Sequence, residues 1–171
     1  MSRTIVGQIF YFIIYLAVQI LLVRNLVLLN FAFCYIYIAF LLLTPLEINP
    51  LLYMLIGFAT GFVTDVFYNT MGIHTAACVL ITYLRPALLR FLTPRGGYDS
   101  SVQPTLKSMG LEWFLIYSAV FILIHHIALF YIEAFELSLF FFTLGKVIMS
   151  TIFTLIILVV TQYLFYYPRK S

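Results

Sequence analysis

The chain reads as a succession of apolar runs, each near twenty residues long, divided by short polar or proline-containing breaks. A helical run of that length matches the hydrocarbon thickness of a bilayer. The spacing predicts helices over about 4–23, 28–46, 51–68, 72–92, 109–132 and 139–165. Thr44-Pro45-Leu46-Glu47-Ile48-Asn49-Pro50 closes the second and opens the third, because its prolines cannot continue a helix. Asn69-Thr70-Met71-Gly72 reads as a tight turn, and 93–108 as a polar cytoplasmic loop carrying Pro94, Gly96, Gly97, Asp99 and Pro104. The runs lack strict alternation, so helices are expected rather than a barrel. The expected fold is an all-α integral membrane protein, a six-transmembrane-helix bundle forming one membrane domain over 1–171.

Composition strengthens this picture. Of 171 residues, 64% are hydrophobic and 9% charged, against roughly 45–50% and about 25% in soluble domains. A chain this short cannot hide so much apolar surface in its own core. Its solvent must be lipid, and backbone groups in lipid must bond internally. Arg3 precedes the first run as in a signal peptide. The run nevertheless continues to Val23, and Arg24-Asn25 lacks the small residues of a cleavage site, which predicts a retained first helix. With the amino terminus inside, Arg3, Arg85, Arg90, Arg95, Lys107, Arg169 and Lys170 all fall on the cytoplasmic side. Only Arg24 and Lys146 fall outside, so the positive-inside bias predicts two cytoplasmic termini. The external connections are short, and partners are expected within the bilayer or from the cytoplasm.

The net charge of +3 is spread along the chain without a basic stripe, so no nucleic-acid partner is expected. Cys34 and Cys78 fall inside apolar runs without metal-like spacing and read as small buried hydrophobes. No glycine loop for phosphate, zinc pattern, serine–histidine pair or paired aspartates stands out. The expectation is a protein that is not an enzyme and has no cofactor or metal.

The most informative stretch is Gly57-Phe58-Ala59-Thr60-Gly61-Phe62-Val63-Thr64-Asp65. Gly57, Gly61 and Asp65 recur every four residues and share one helix face, where two glycines admit a close backbone neighbour. A carboxylate costs about 2.5–3.5 kcal/mol at the centre of a membrane helix, less near its end, so Asp65 needs donors. His74 and Thr75 arrive at about the same depth through the turn. Asp65 is therefore read as bonded across the hairpin to them or to turn N–H groups. A direct ligand or partner contact, or a carboxylate reaching the headgroups, are the alternatives. His74 reads as a satisfied structural histidine. His125 and His126 point about 100° apart on a helix, which places one toward the bundle and the other toward the interface. Lys146 is expected to pair with Glu133 or Glu136 or to snorkel alone, and Glu47 to pair with Arg85. Arg85, Arg90 and Arg95 read as a helix end on the inner headgroup surface, or as a docking surface for a cytoplasmic partner.

These residues resemble a known family. The run from Gly57 through Asp65-Val66-Phe67, then Met71-Gly72-Ile73-His74, is similar to the rod shape-determining protein MreD family. Leu84-Arg85-Pro86 and Thr93-Pro94-Arg95-Gly96-Gly97-Tyr98 resemble its Bacteroides-type versions. The specific part covers 57–98, while length and span pattern cover the whole chain. The resemblance implies a six-helix bundle like the substrate-binding subunit of energy-coupling factor transporters. It implies a bacterial inner-membrane scaffold that binds MreC. It further implies work with the MreB filament, RodA and a class B penicillin-binding protein in side-wall peptidoglycan synthesis. Gly57, Gly61, Asp65, Gly72 and His74 would be the family's signature positions, organising the third and fourth helices. The competing expectation is the small-molecule-binding subunit of a membrane transporter.

Overall fold

The structure, a computed structural model, describes residues 5–94, 96–98 and 103–165. Helix α1 (Ile5–Val18) runs into a π-helical turn over Gln19–Val23. The wide turn coincides with a fully buried Gln19. Gln19 donates through Nε2 to the Cys34 carbonyl (3.2 Å) and the Tyr68 hydroxyl (2.6 Å). Its Oε1 accepts from the Tyr37 N–H at 3.4 Å. Such π turns occur often at functional sites.

The helix expected over 28–46 is absent. In its place strands β1 (Val27–Leu28) and β2 (Ala32–Phe33) form an antiparallel hairpin, pairing Val27 with Phe33 and Leu28 with Ala32. Leu29 and Asn30, both at φ 55°, make its turn. Two irregular residues and a turn at Ile36-Tyr37 lead to a five-residue helix, α2 (Ile38–Leu42). Arg24 stacks over Tyr68 at one end of the bundle, while the Pro45 carbonyl meets Arg85 at the other. Residues 24–45 therefore traverse the molecule mostly as non-helical chain.

Buried irregular backbone persists where protein supplies the missing partners. Here α7 (Phe140–Phe165) supplies them. Ser150 Oγ accepts from the Phe33 N–H (3.0 Å) and Thr154 Oγ1 from the Tyr35 N–H (3.2 Å). Thr143, Val147, Ser150, Thr151, Thr154, Leu158 and Gln162 form the buried face of α7, a stripe rich in hydroxyls at helical spacing.

Helix α3 (Pro50–Tyr68) starts where the Asn49 side chain accepts from the N–H groups of Leu51 and Leu52. Pro50 occupies its first turn, where no N–H is needed. It ends at Asn69 in the left-handed region, and Gly72 at φ 86° completes the turn into α4 (Ile73–Phe91). Helix α4 continues through Pro86. Helix α5 (Leu106–Met109) is a single turn capped reciprocally by Thr105 and Ser108, separated at Gly110 from α6 (Leu111–Ala134). In the packing, α3 lies on α4, α4 on α6, and α6 on α7.

Among the described residues three helices, α3, α6 and α7, are long and apolar enough to cross a membrane, and Gly7–Val23 is a shorter apolar helix. This fits an all-α membrane protein but not six spanning helices. The second run is not a helix, and α4 carries His74, Thr75, Thr82, Arg85 and Arg90. Apolar side chains also lie outward, among them Leu51, Leu55, Phe58, Phe62 and Val66 on α3 and Ile152, Ile156 and Val160 on α7. Exposed apolar surface on this scale suits lipid rather than water.

Candidate functional site

The site is built on the α3–α4 turn. A Cβ on Gly61 would lie 2.4 Å from Thr75 Cα and 2.7 Å from the His74 carbonyl oxygen, and one on Gly57 would meet Thr82 Cγ2 at 2.7 Å. The glycine face is therefore filled by α4. That approach brings the α4 amino terminus onto Asp65. Asp65 Oδ1 accepts from Thr70 Oγ1 (2.5 Å) and the His74 N–H (3.0 Å), and Oδ2 from the Thr75 N–H (2.9 Å) and Thr75 Oγ1 (2.6 Å). Gly72 offers no side-chain cap, so a carboxylate from the preceding helix satisfies these first-turn N–H groups.

With its backbone held by Asp65, His74 places its ring in a buried cluster. Tyr37 Oη lies 2.9 Å from His74 Nδ1 and 2.8 Å from His125 Nε2. One hydroxyl hydrogen cannot serve both, so one histidine donates to Tyr37 and the other accepts from it. The two tautomers are thereby linked. His126 Nδ1 lies 3.0 Å from Thr151 Oγ1. His125 and His126 are both 0% exposed, which corrects the expectation that one faces the interface. The 100° between them is absorbed by two inward neighbours, Tyr37 on one side and α7 on the other. His125 Nδ1 and His126 Nε2 are buried and have no partner among the described residues. The Tyr35 ring contacts all three imidazoles, at centroid distances of 5.4, 6.2 and 5.5 Å.

Above this cluster opens a cavity of about 250 Å³ whose lining includes Arg24, Phe33, Tyr35, Tyr68, His74 and Glu133. Lys146 bonds Glu133 at 2.8 Å, and its Nζ also lies 4.8 Å from the Phe33 ring centroid and 4.4 Å from that of Phe130.

No family model matches the chain, nor does any curated protein or solved structure. The site is therefore interpreted from its own geometry.

At the other end of the bundle Arg85 is 2% exposed. Its Nε donates to the Tyr117 hydroxyl at 2.7 Å, and its terminal nitrogens donate to the carbonyls of Leu42, Thr44 and Pro45. The guanidinium also sits 4.7 Å over the Tyr53 ring. It caps the carboxyl end of α2, where a cation is favoured. This corrects two expectations. Arg85 does not pair with Glu47, because backbone carbonyls take its donors, and it is not available as a docking residue. Arg90 is exposed at the end of α4. Arg95 lies outside the described residues.

Among the described residues no group of three or more His, Cys, Asp or Glu side chains is placed to hold a metal ion. Cys78 Sγ comes within 3.9 Å of His125 Nε2, yet the thiol is fully buried. Gln19, Tyr35 and Tyr37, central to the cluster, do not stand out when helices are assigned by run length. The available signal was the alternation of Phe31, Phe33, Tyr35 and Tyr37, a strand period inside an apolar run.

Proposed function

We propose that the chain is a non-enzymatic membrane scaffold of the MreD type. In this reading it binds MreC within the bacterial cell-elongation complex and supports side-wall peptidoglycan synthesis and cell shape. The observation that carries the reading is the division of labour between inside and outside. Asp65, Arg85 and the histidines are spent on bonds within the bundle, while α3 and α7 turn apolar side chains outward. The family-like positions Gly57, Gly61, Asp65, Gly72 and His74 all serve or border the α3–α4 junction. The chain crosses the bacterial inner membrane six times in this proposal. The second crossing is the extended segment with α2, and both termini are cytoplasmic, as the basic residues imply.

The small-residue face is taken by α4, so the MreC helix needs an outward surface, for example the stacked Phe58 and Phe62 of α3. Packing, with polar contacts averaging about 0.6 kcal/mol, drives such association in lipid. The test is photo-cross-linking from Phe58, Phe62 and Ile152 in native membranes, followed by mild-detergent capture and mass spectrometry. Recovery of MreC, RodA or its penicillin-binding protein partner is expected. Capture without any of them overturns the proposal.

A second reading, the small-molecule-binding subunit of a transporter, is favoured by one observation, the ring-lined cavity beside His74. A transport ATPase in the same capture experiment would support it instead.

A further inference from the structure

The cavity beside His74 has a charge and a wall chemistry that the scaffold role does not use. Its volume, about 250 Å³, lies just under the ~300–1,000 Å³ usual for drug-sized ligands, so an occupant is small. Phe33, Tyr35 and Tyr68 contribute aromatic rings to its wall, and ring faces favour a planar guest.

Four charges stand around the cavity, and three of them are taken up by partners: the Asp65 carboxylate behind Thr70 and His74 accepts four N–H and O–H bonds, and Glu133 and Lys146 meet each other. Glu133 is neutralised by Lys146, the only ion pair among the described residues. Arg24 has no carboxylate partner among those residues. Its guanidinium lies 5.2 Å over the Tyr68 ring instead. Stacking of this kind uses the flat face and leaves the N–H edge available for a bidentate acid group. A guanidinium at the mouth whose N–H edge has no carboxylate partner among the described residues favours an acid group as its ligand.

The polar floor agrees with this. His74 lines the cavity while being 2% exposed, and Tyr37 occupies its Nδ1, leaving Nε2 for an occupant. An anion selects the tautomer that carries hydrogen on Nε2. Tyr37 then donates to His74 Nδ1 and accepts from His125 Nε2, which fixes the tautomers of both rings.

We propose that this cavity binds a small planar anion, in chemical class an aromatic carboxylate, with its acid group on Arg24 and its ring against Tyr35 and Tyr68. The inference deepens the small-molecule reading and rests on its cavity, but it is independent of MreC capture. The test uses the full chain in phosphatidylcholine nanodiscs and ligand-observed NMR titration with benzoate, benzyl alcohol and benzylamine. Benzoate is expected to bind saturably and ahead of the other two. Arg24→Gln, at an exposed position, is expected to weaken benzoate roughly tenfold or more through loss of charge-assisted hydrogen bonds. Arg24→Lys is expected to retain part of the binding. Equal binding of all three probes, or of benzoate to wild type and Arg24→Gln, overturns the anion assignment while leaving a small-molecule pocket. Saturable binding by none of them overturns both.

Discussion

Gly61 and Gly145 sit in helices of similar character and face opposite surroundings. A methyl group on Gly61 would strike the backbone of Thr75 at 2.4 Å, whereas one on Gly145 would meet only the tip of the Phe31 ring at 3.2 Å. Alanine gains about 1 kcal/mol of helix propensity over glycine at either place. At Gly61 that gain is outweighed, because α3 and α4 must separate and strain of this kind costs about 1–3 kcal/mol. Separation would also pull the α4 N–H groups away from Asp65. Gly61→Ala is expected to lower the detergent-solubilised melting temperature, and Gly145→Ala to leave it unchanged or raise it slightly. Equal melting temperatures for Gly61→Ala and wild type would contradict the packing described.

Among the elements, the segment after α1 depends on α7 for backbone hydrogen-bond acceptors. Its strand pairing is only two residues long, and the N–H groups of Phe33, Tyr35 and Tyr37 are met by side chains. Ser150→Ala with Thr154→Val removes the acceptors for Phe33 and Tyr35 while nearly preserving volume. Each buried N–H left unpaired costs about 1–3 kcal/mol. The variant is expected to exchange backbone hydrogen faster over residues 32–37 while α3 keeps its protection, measured by hydrogen–deuterium exchange with mass spectrometry. Unchanged exchange there would show that the hydroxyls are not what holds the segment. The same dependence explains why a helix is the wrong expectation for 28–46. A helix would satisfy its own backbone, but it would turn Tyr35 and Tyr37 away from the shared direction that carries them to the histidines.

On the scale of the whole molecule, the hairpin turn at Asn30, the α3–α4 turn at Met71 and the α6–α7 connection at Ser138 belong to one end, and Glu47 and Thr93 to the other. Cys34 and Cys78 are buried and should stay silent to a thiol reagent. Single cysteines at Asn30, Met71 and Ser138 are therefore expected to react with an impermeant maleimide on intact spheroplasts. Cysteines at Glu47 and Thr93 are expected to react only after permeabilisation. Labelling at Asn30 and Met71 from opposite sides would refute the six-crossing proposal. The two ends also differ in chemistry. One closes on Arg85 with all three guanidinium nitrogens bonded to protein, and the other opens on Arg24 with its donors free among the described residues.

The amino-acid sequence by itself determined the long apolar helices α3, α6 and α7, whose length and composition fit a membrane. It also determined the ends of α3, where Pro50 and Asn69 act locally, and the close approach of α4. Glycines at 57 and 61 and an aspartate at 65 share one helix face, which admits a close neighbour and asks for donors. Those features depend on neighbours within a turn or two. What only the tertiary structure decided depends on partners far along the chain. Gln19 and Tyr37, His74 and His125, and Ser150 and Phe33 meet across separations of 18, 51 and 117 residues, the middle pair through Tyr37. Hydropathy registers none of them. It scores Tyr37 and Phe33 by their affinity for an apolar medium, whereas their place is set by which donors and acceptors the folded bundle leaves unpaired.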